Sequence, residues 1–274
     1  MTEKTAIVTG ASAGVGKEAA RQLLGLGWRV IGVGRDPARC AATAAELAST
    51  KFTMLRADLS SLADVARLAH EVLALAPTID ALLNNAGGVQ AERNVTPEGL
   101  ESTFTSNHLA PFLLTQKLMS ALGAGARVIA VSSTGHEQCP GMNWDDLQFA
   151  DGWLSGRAYC QAKLANILFT RELARRHGPQ GLIAHAMHPG VVDSNFASHC
   201  EPEMKAYMES ILDRSTPPDV PARTLVWLAS GDEPGTVNGR YFYNMAEAES
   251  SAAAQDDVAA LRLWQVSEAL VAGY

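Results

Sequence analysis

No stretch of this chain stays apolar for the roughly 18 residues that a membrane span requires. None is basic enough to track a phosphate backbone either. Lys and Arg together number 22 against 29 Asp and Glu, a net charge of −7. An acidic chain without a basic run suits neither nucleic acid nor an anionic membrane surface, and neither partner is expected. Cysteine is scarce. Cys40, Cys139, Cys160 and Cys200 form no C-x-x-C pair, which fits a reduced, cytoplasmic setting. His136 with Cys139, and His185 with His188, sit three apart, but neither pair has a companion at ligand spacing. No metal site is therefore expected. The opening MTEKTAIVTG enters a strand at once, so no signal peptide is expected.

What the chain has is alternation. Short apolar runs at KTAIVTG, WRVIGVG, KFTMLRAD, IDALLNNAG, ARVIAVSS, GLIAHAMHPG and GRYFYN are separated by helical patterns. One of these helices spans about 101–122, and the last reads VAALRLWQVSEALV. Strands apolar on both faces, spaced by helices, predict an α/β fold: a doubly wound parallel sheet of about seven strands with helices on both faces. One domain over residues 1–274 is expected, since a chain of this class runs past 200 residues without splitting. The stretch AEAESSAAAQDD, 246–257, is low in complexity and reads as a surface connection. Two excursions, 134–156 and 191–216, follow strands and exceed the usual connection of about 2–6 residues. Both sit at carboxyl ends of strands, the edge where open α/β sheets bind ligands.

The first such edge carries TGASAGVG, with Gly10, Gly14 and Gly16 between a strand and a helix. Glycine lets the backbone come close to a pyrophosphate, and the helix amino end offers free N–H groups and partial positive charge. The spacing is not G-x-G-x-x-G, and an ordinary glycine-rich turn is the alternative reading. The second strand ends VIGVGRDP. Gly34 stands where an acid would meet a ribose 2′-OH, and Arg35 follows it. A guanidinium there suits a 2′-phosphate, with the Ser12 hydroxyl as a second donor, so the expected cofactor is NADP(H). Asp36 either turns away or caps the helix that begins near Pro37.

RAYCQAKLANILFTREL, 157–173, reads as a helix with its apolar residues inward, yet Tyr159 and Lys163 lie four apart on one face. Carbonyl reduction needs a hydride donor and a proton donor at the developing alkoxide. A phenol with pKa about 10 ionises reluctantly, and an ammonium one turn away favours the phenoxide. Tyr159 is thus the candidate acid in reduction and base in oxidation, and the pair is expected to face a cleft. A snorkelling surface pair is the bland alternative.

TGASAGVG, NNAG at 84–87, Ser132–Ser133, Tyr159-x-x-x-Lys163 and HPG at 188–190 together resemble the short-chain dehydrogenase/reductase family, in its order and over nearly the whole chain. NHLAPFLLT, WDDLQF, AYCQAKLANILFTREL, HPGVV and LWQVSEAL are similar to its retinol-dehydrogenase-like branch. The resemblance implies a Rossmann-type fold and hydride transfer between a nicotinamide and a carbonyl or alcohol. It implies that Lys163 also holds the nicotinamide ribose and that Ser133, rather than Ser132, donates to the substrate oxygen. Asn107, in SNHL, matches a helix asparagine that holds a water and links Lys163 to solvent. Further cofactor contacts are implied at Val15, at Asp58 and Leu59, at Asn85, Ala86 and Gly87, and at Pro189, Gly190 and Val192. Asp58 reads equally well as a carboxylate at a helix amino end. Ala162 departs from the family, which usually carries Ser there. The family often forms dimers or tetramers, and a monomer is also compatible.

A nucleotide-sensing regulator on the same fold would have lost Ser133, Tyr159 or Lys163. An NAD-preferring alcohol dehydrogenase is the other alternative. For the substrate, the excursions are rich in large apolar groups: Met142, Trp144, Phe149, Trp153, Phe196, Met204, Tyr207 and Met208. Trp144, Trp153 and Phe196 are the expected substrate contacts. No Lys or Arg lies between Ser133 and Gly156, and the second excursion has only Lys205 and Arg214. A hydrophobic ketone, aldehyde or secondary alcohol is the expected partner. The alternative is that these aromatics close the core beneath the loops.

Overall fold

The computed structural model describes residues 3–193 and 202–274, and for Glu203, Met204, Tyr207 and Met208 the backbone alone. Among these residues eight strands make one sheet: β1 (Thr5–Thr9), β2 (Arg29–Gly34), β3 (Phe52–Arg56), β4 (Ala81–Asn84), β5 (Arg127–Val131), β6 (Ile183–Met187), β7 (Arg240–Tyr243) and β8 (Ala246–Glu247). Their order is β3-β2-β1-β4-β5-β6-β7-β8. All neighbours are parallel except β7 with β8. The helices are α1 (Gly14–Gly25), α2 (Pro37–Leu47), α3 (Leu62–Leu75), α4 (Ser102–Phe104), α5 (Ala110–Leu118), α6 (Ser155–His177), α7 (Pro202–Ser210), α8 (Asp219–Ser230) and α9 (Asp257–Val271).

Strand alternation divides the core in two. Ile7, Ile31, Leu82, Val128 and Ala184 face one side, packed under α3, α5, α6 and α9. Ala6, Val8, Val30, Leu83, Ile129 and Met187 face the other, under α1 and α8. Successive Cβ atoms point to opposite faces, so a strand with both faces covered must be apolar throughout. Each fully buried Leu or Ile there contributes roughly 1.5–3 kcal/mol of transfer free energy. Helix starts follow local chemistry. The Asp36 carboxylate accepts from Arg39 N at 2.8 Å with Pro37 next in line; Ser61 caps α3 and Asp256 caps α9.

Three expectations need correction. The helix expected over 101–122 contains a π turn, Thr105–Leu109, between α4 and α5. Pro111 brings no N–H to the ladder just beyond it, where the register shifts. An eighth strand follows Asn244 and Met245, both left-handed at φ 48 and 58, the conformation a two-residue hairpin needs. No Asn-Gly cue announces it. The stretch 246–257 is not merely a surface connection, because Ala254 is fully buried in the core.

Candidate active site

The carboxyl ends of β1 to β7 open onto a cavity of about 1940 Å³. The strand order reverses between β1 and β4, a topological switch point. There Gly10 and Gly14 adopt φ +71 and +53. A Cβ on Gly10 would stand 2.8 Å from Asn85 Nδ2, and one on Gly16 would collide with the Gly10 carbonyl. Gly10 and Gly16 are therefore required by close packing, and Gly14 by its positive φ. Ala13 starts α1 without a side-chain cap, which leaves first-turn N–H groups to the cavity. Thr9 Oγ accepts from the N–H groups of Asn85 and Ala86, both at 3.0 Å, joining the glycine loop to the end of β4.

Gly34 has no room for an acid. A Cβ there would lie 2.6 Å from Cys40 Sγ and 2.9 Å from Ser12 Cβ. Arg35 lines the exposed rim of the cavity together with Ser12 and Arg39. Asp36 is spent on the α2 cap, 3.7 Å from Arg39 Nε. Asp58 lines the same end, its Oδ1 held by Ser60 N and Oγ at 2.9 and 2.7 Å.

Ser133, Tyr159 and Lys163 line the cavity's other end. Ser132 and Ser133 diverge as strand alternation demands. Ser132 Oγ donates to the Lys163 carbonyl at 2.7 Å, inside the protein, while Ser133 Oγ accepts from Gly135 N at 3.1 Å on the cavity wall. Lys163 is 3% exposed, with Nζ 5.3 Å from the centre of the Tyr159 ring and donating to Val131 O at 3.1 Å. Burial lowers its pKa to about 8. The cation still prevails at neutral pH and bears directly on the phenol.

Every residue expected at the cofactor lines this cavity: Ser12, Val15, Gly16, Leu59, Ala86, Gly87, Pro189, Gly190 and Val192 stand beside those above. Asn107 does not. Its amide clamps the chain after β4, accepting from Gly88 N and donating to Gly88 O, each at 3.0 Å. A Cβ on Gly87 would be 2.6 Å from Asn107 Oδ1 and 2.9 Å from Lys163 Nζ, so the asparagine stands behind the wall, near the ammonium.

Two of the three expected substrate contacts are described, and both stand away from the cavity lining. Trp144 packs against the core under the Arg262 guanidinium, 4.4 Å from its ring. Trp153 donates from Nε1 to Glu101 Oε1 at 3.3 Å. Neither borders the cavity. Met142 and Phe149 are buried, so these groups close the core beneath the excursion. Phe196 lies outside the described residues, and the side chains of Met204, Tyr207 and Met208 do as well. Besides the residues already named, the cavity is lined by Gln138, Cys160, His188, Val191, Ile211, Arg214 and Tyr243, with Cys160 Sγ and Ser133 Oγ both beside Gly135. Tyr243 stacks on His188 at 4.2 Å. Its place at the carboxyl end of β7 is the signal that would have found it. Burial lowers the His188 pKa to about 4, so the ring is neutral. Arg39 was findable too, one helical turn past Arg35 in the first turn of α2.

A family model for short chain dehydrogenases matches residues 4–205. Human retinol dehydrogenase 14 is 35% identical over 293 residues, covering 99% of this chain and 87% of that one. An uncharacterized protein from Mycobacterium paratuberculosis, known from its crystal structure, superposes with a TM-score of 0.79 at 32% identity, covering 99% of this chain and 94% of that one. RhlG of Pseudomonas aeruginosa, solved as an NADP active-site complex, superposes at 0.70 with 28% identity, covering 88% and 94%. The chain belongs to the short-chain dehydrogenase/reductase family of NAD(P)-dependent oxidoreductases.

Proposed function

We propose that this protein is an NADP(H)-dependent reductase of hydrophobic ketones and aldehydes, or a dehydrogenase of the matching secondary alcohols. The observation that carries the reading is the grouping of Ser133, Tyr159 and Lys163 at one end of a cavity whose other end holds the glycine loop and Arg35. The residues fit the cofactor. Gly10 and Gly16 pack too closely for any Cβ and so hold the loop tight, Gly14 faces open space at a positive φ, and the uncapped amino end of α1 suits a pyrophosphate. Arg35, Arg39 and Ser12 suit a 2′-phosphate, where Gly34 excludes the competing acid. The bound nicotinamide would supply or accept the hydride.

The chain's own residues handle the oxygen. Tyr159 gives its phenolic proton to the developing alkoxide, or takes one from the alcohol in the reverse direction. Lys163 holds the phenoxide by charge, strengthened because the ammonium is buried. Ser133 donates to the substrate oxygen and orients it. Val191, Ile211, Cys160 and Tyr243 give the cavity apolar surface for such a substrate. The names of the retinol dehydrogenase relatives point to a hydrophobic alcohol as well. The test compares a bulky apolar ketone, a retinoid aldehyde and a small keto acid with both nicotinamides. The apolar carbonyls with NADPH should show the highest kcat/KM, and Tyr159→Phe should remove most turnover while cofactor binding stays near normal. A higher kcat/KM for the keto acid would overturn the substrate class, and a fully active Tyr159→Phe the chemistry.

A further inference from the structure

His136 stands three residues past Ser133 and is fully buried. Its Nδ1 lies 2.7 Å from the Ser133 carbonyl oxygen, and its Nε2 lies 3.1 Å from the backbone N of Ser251. A carbonyl oxygen only accepts and a backbone N–H only donates. The ring is therefore neutral, with its proton on Nδ1. Tyr241 meets it edge-on, with centroids 5.1 Å apart and planes at 71°, and blocks the ring from turning. Both nitrogens are committed to backbone partners, so the side chain belongs to the framework of the site.

The two partners are far apart in the chain. Ser133 is the extended residue at the end of β5, φ −159, from which a short 3-10 turn departs. Its carbonyl also accepts from His136 N at 3.1 Å, so the His136 backbone and side chain grip the same oxygen. Ser251 opens the C-terminal arm. Its hydroxyl accepts from Ala254 N at 3.3 Å, Ala254 is fully buried, and α9 follows, packed on α6. That helix carries Tyr159 and Lys163. The imidazole thus spans from the strand end that presents Ser133 to the arm that braces the helix presenting Tyr159.

We propose that His136 is a positioning residue: it fixes the peptide plane after Ser133, and through it the direction of the Ser133 hydroxyl toward Tyr159. The proposal rests on the reading of Ser133 as the donor to the substrate oxygen. His136→Asn keeps an N–H donor at the Nδ1 position, and His136→Gln keeps an acceptor only near the Nε2 position. With NADPH and a bulky apolar ketone, His136→Ala and His136→Gln should each lower kcat about tenfold or more, the scale of a small misplacement at a reacting centre. His136→Asn should stay within about threefold of the native kcat, and KM for NADPH should change by less than about twofold in all three. In a Ser133→Ala background, His136→Gln should cost no further kcat, because the two act as one unit. Two-bond 1H–15N correlation spectra of the native protein, recorded without substrate, should show the Nδ1–H tautomer. Equal losses in the Asn and Gln variants, losses that add in the Ser133→Ala background, or an Nε2–H or doubly protonated ring would each overturn the proposal. A Ser133→Ala variant with native kcat would instead refute the role of Ser133, and with it this role of His136.

Discussion

Arg35 and Lys163 are charged residues whose surroundings decide what they do. Arg35 is exposed on the cavity rim beside Ser12 and Arg39, and Asp36 is withdrawn into a helix cap. The local sequence raised that question about Asp36, and the cap answers it: the carboxylate next to the guanidinium does not compete for it. Arg35→Ala should weaken NADPH binding by about 1.5–3 kcal/mol, the range of a charge-assisted contact, and leave NADH nearly unchanged. Equal losses in the two titrations would remove the assignment. Lys163 makes a separate prediction through pH. Burial lowers its pKa from 10.5 to about 8. Between those values the unfolded chain keeps a proton that the folded one has released, so stability rises with pH across that window. Below about 8 both states are protonated, and the full cost of the buried cation remains. Chemical denaturation of the cofactor-free protein against Lys163→Met should show the native protein gaining about 1–3 kcal/mol relative to the variant from pH 8 to 10.5. A difference that stays flat with pH would place the ammonium in water.

At the scale of elements, the chain after β4 and the excursion after β5 are clasped together around Glu101. This carboxylate is 1% exposed, with Oε1 accepting from Thr103 N at 2.9 Å and from Trp153 Nε1, and Oε2 accepting from Phe104 N at 2.7 Å. Glu101 N donates to Gln148 Oε1 at 2.6 Å, and Arg93 Nε donates to Phe149 O at 2.9 Å. Glu101→Ala orphans two helix N–H groups and an indole N–H. It should cost roughly 2–4 kcal/mol in a denaturant titration, with Glu101→Gln losing less. A loss under about 0.5 kcal/mol would mean that water replaces the carboxylate without strain. This clasp also shows where the sequence was legible. Strands such as AIVT and VIAV, buried on both faces, and the glycine loop between strand and helix follow local rules, so their places were readable. Trp144 and Trp153 were read as substrate contacts because composition marks a long loop as aromatic but not which way it folds. Their direction is set by Glu101 and Arg262, distant in sequence. The π turn and the Asn244–Met245 hairpin were hidden for a related reason, since backbone geometry overrides weak residue preference there.

At the scale of the molecule, the cavity is walled by both halves of the sheet. Gly10, Gly14 and Gly16 come from the end of β1, and Gly190, Val192 and Tyr243 from the ends of β6 and β7. The wall is continuous because the strands are parallel and all present the same edge. A dinucleotide lying along it would be gripped at the pyrophosphate by one half and near Tyr159 by the other. Binding should therefore stabilise the fold as one unit. At a free NADPH concentration of about 100 times Kd the added stability is about 2.7 kcal/mol, which for a chain of this size corresponds to a rise in Tm of roughly 5 °C. Amide exchange should slow at the glycine loop and also at the backbone around Gly190 and Val192. NADH at the same concentration should give a smaller shift, with the difference arising at the Arg35 rim. Protection confined to the glycine loop would mean that the β6 and β7 end of the cavity does not hold the cofactor, and the wall near Ser133 would then have to be assigned to substrate alone.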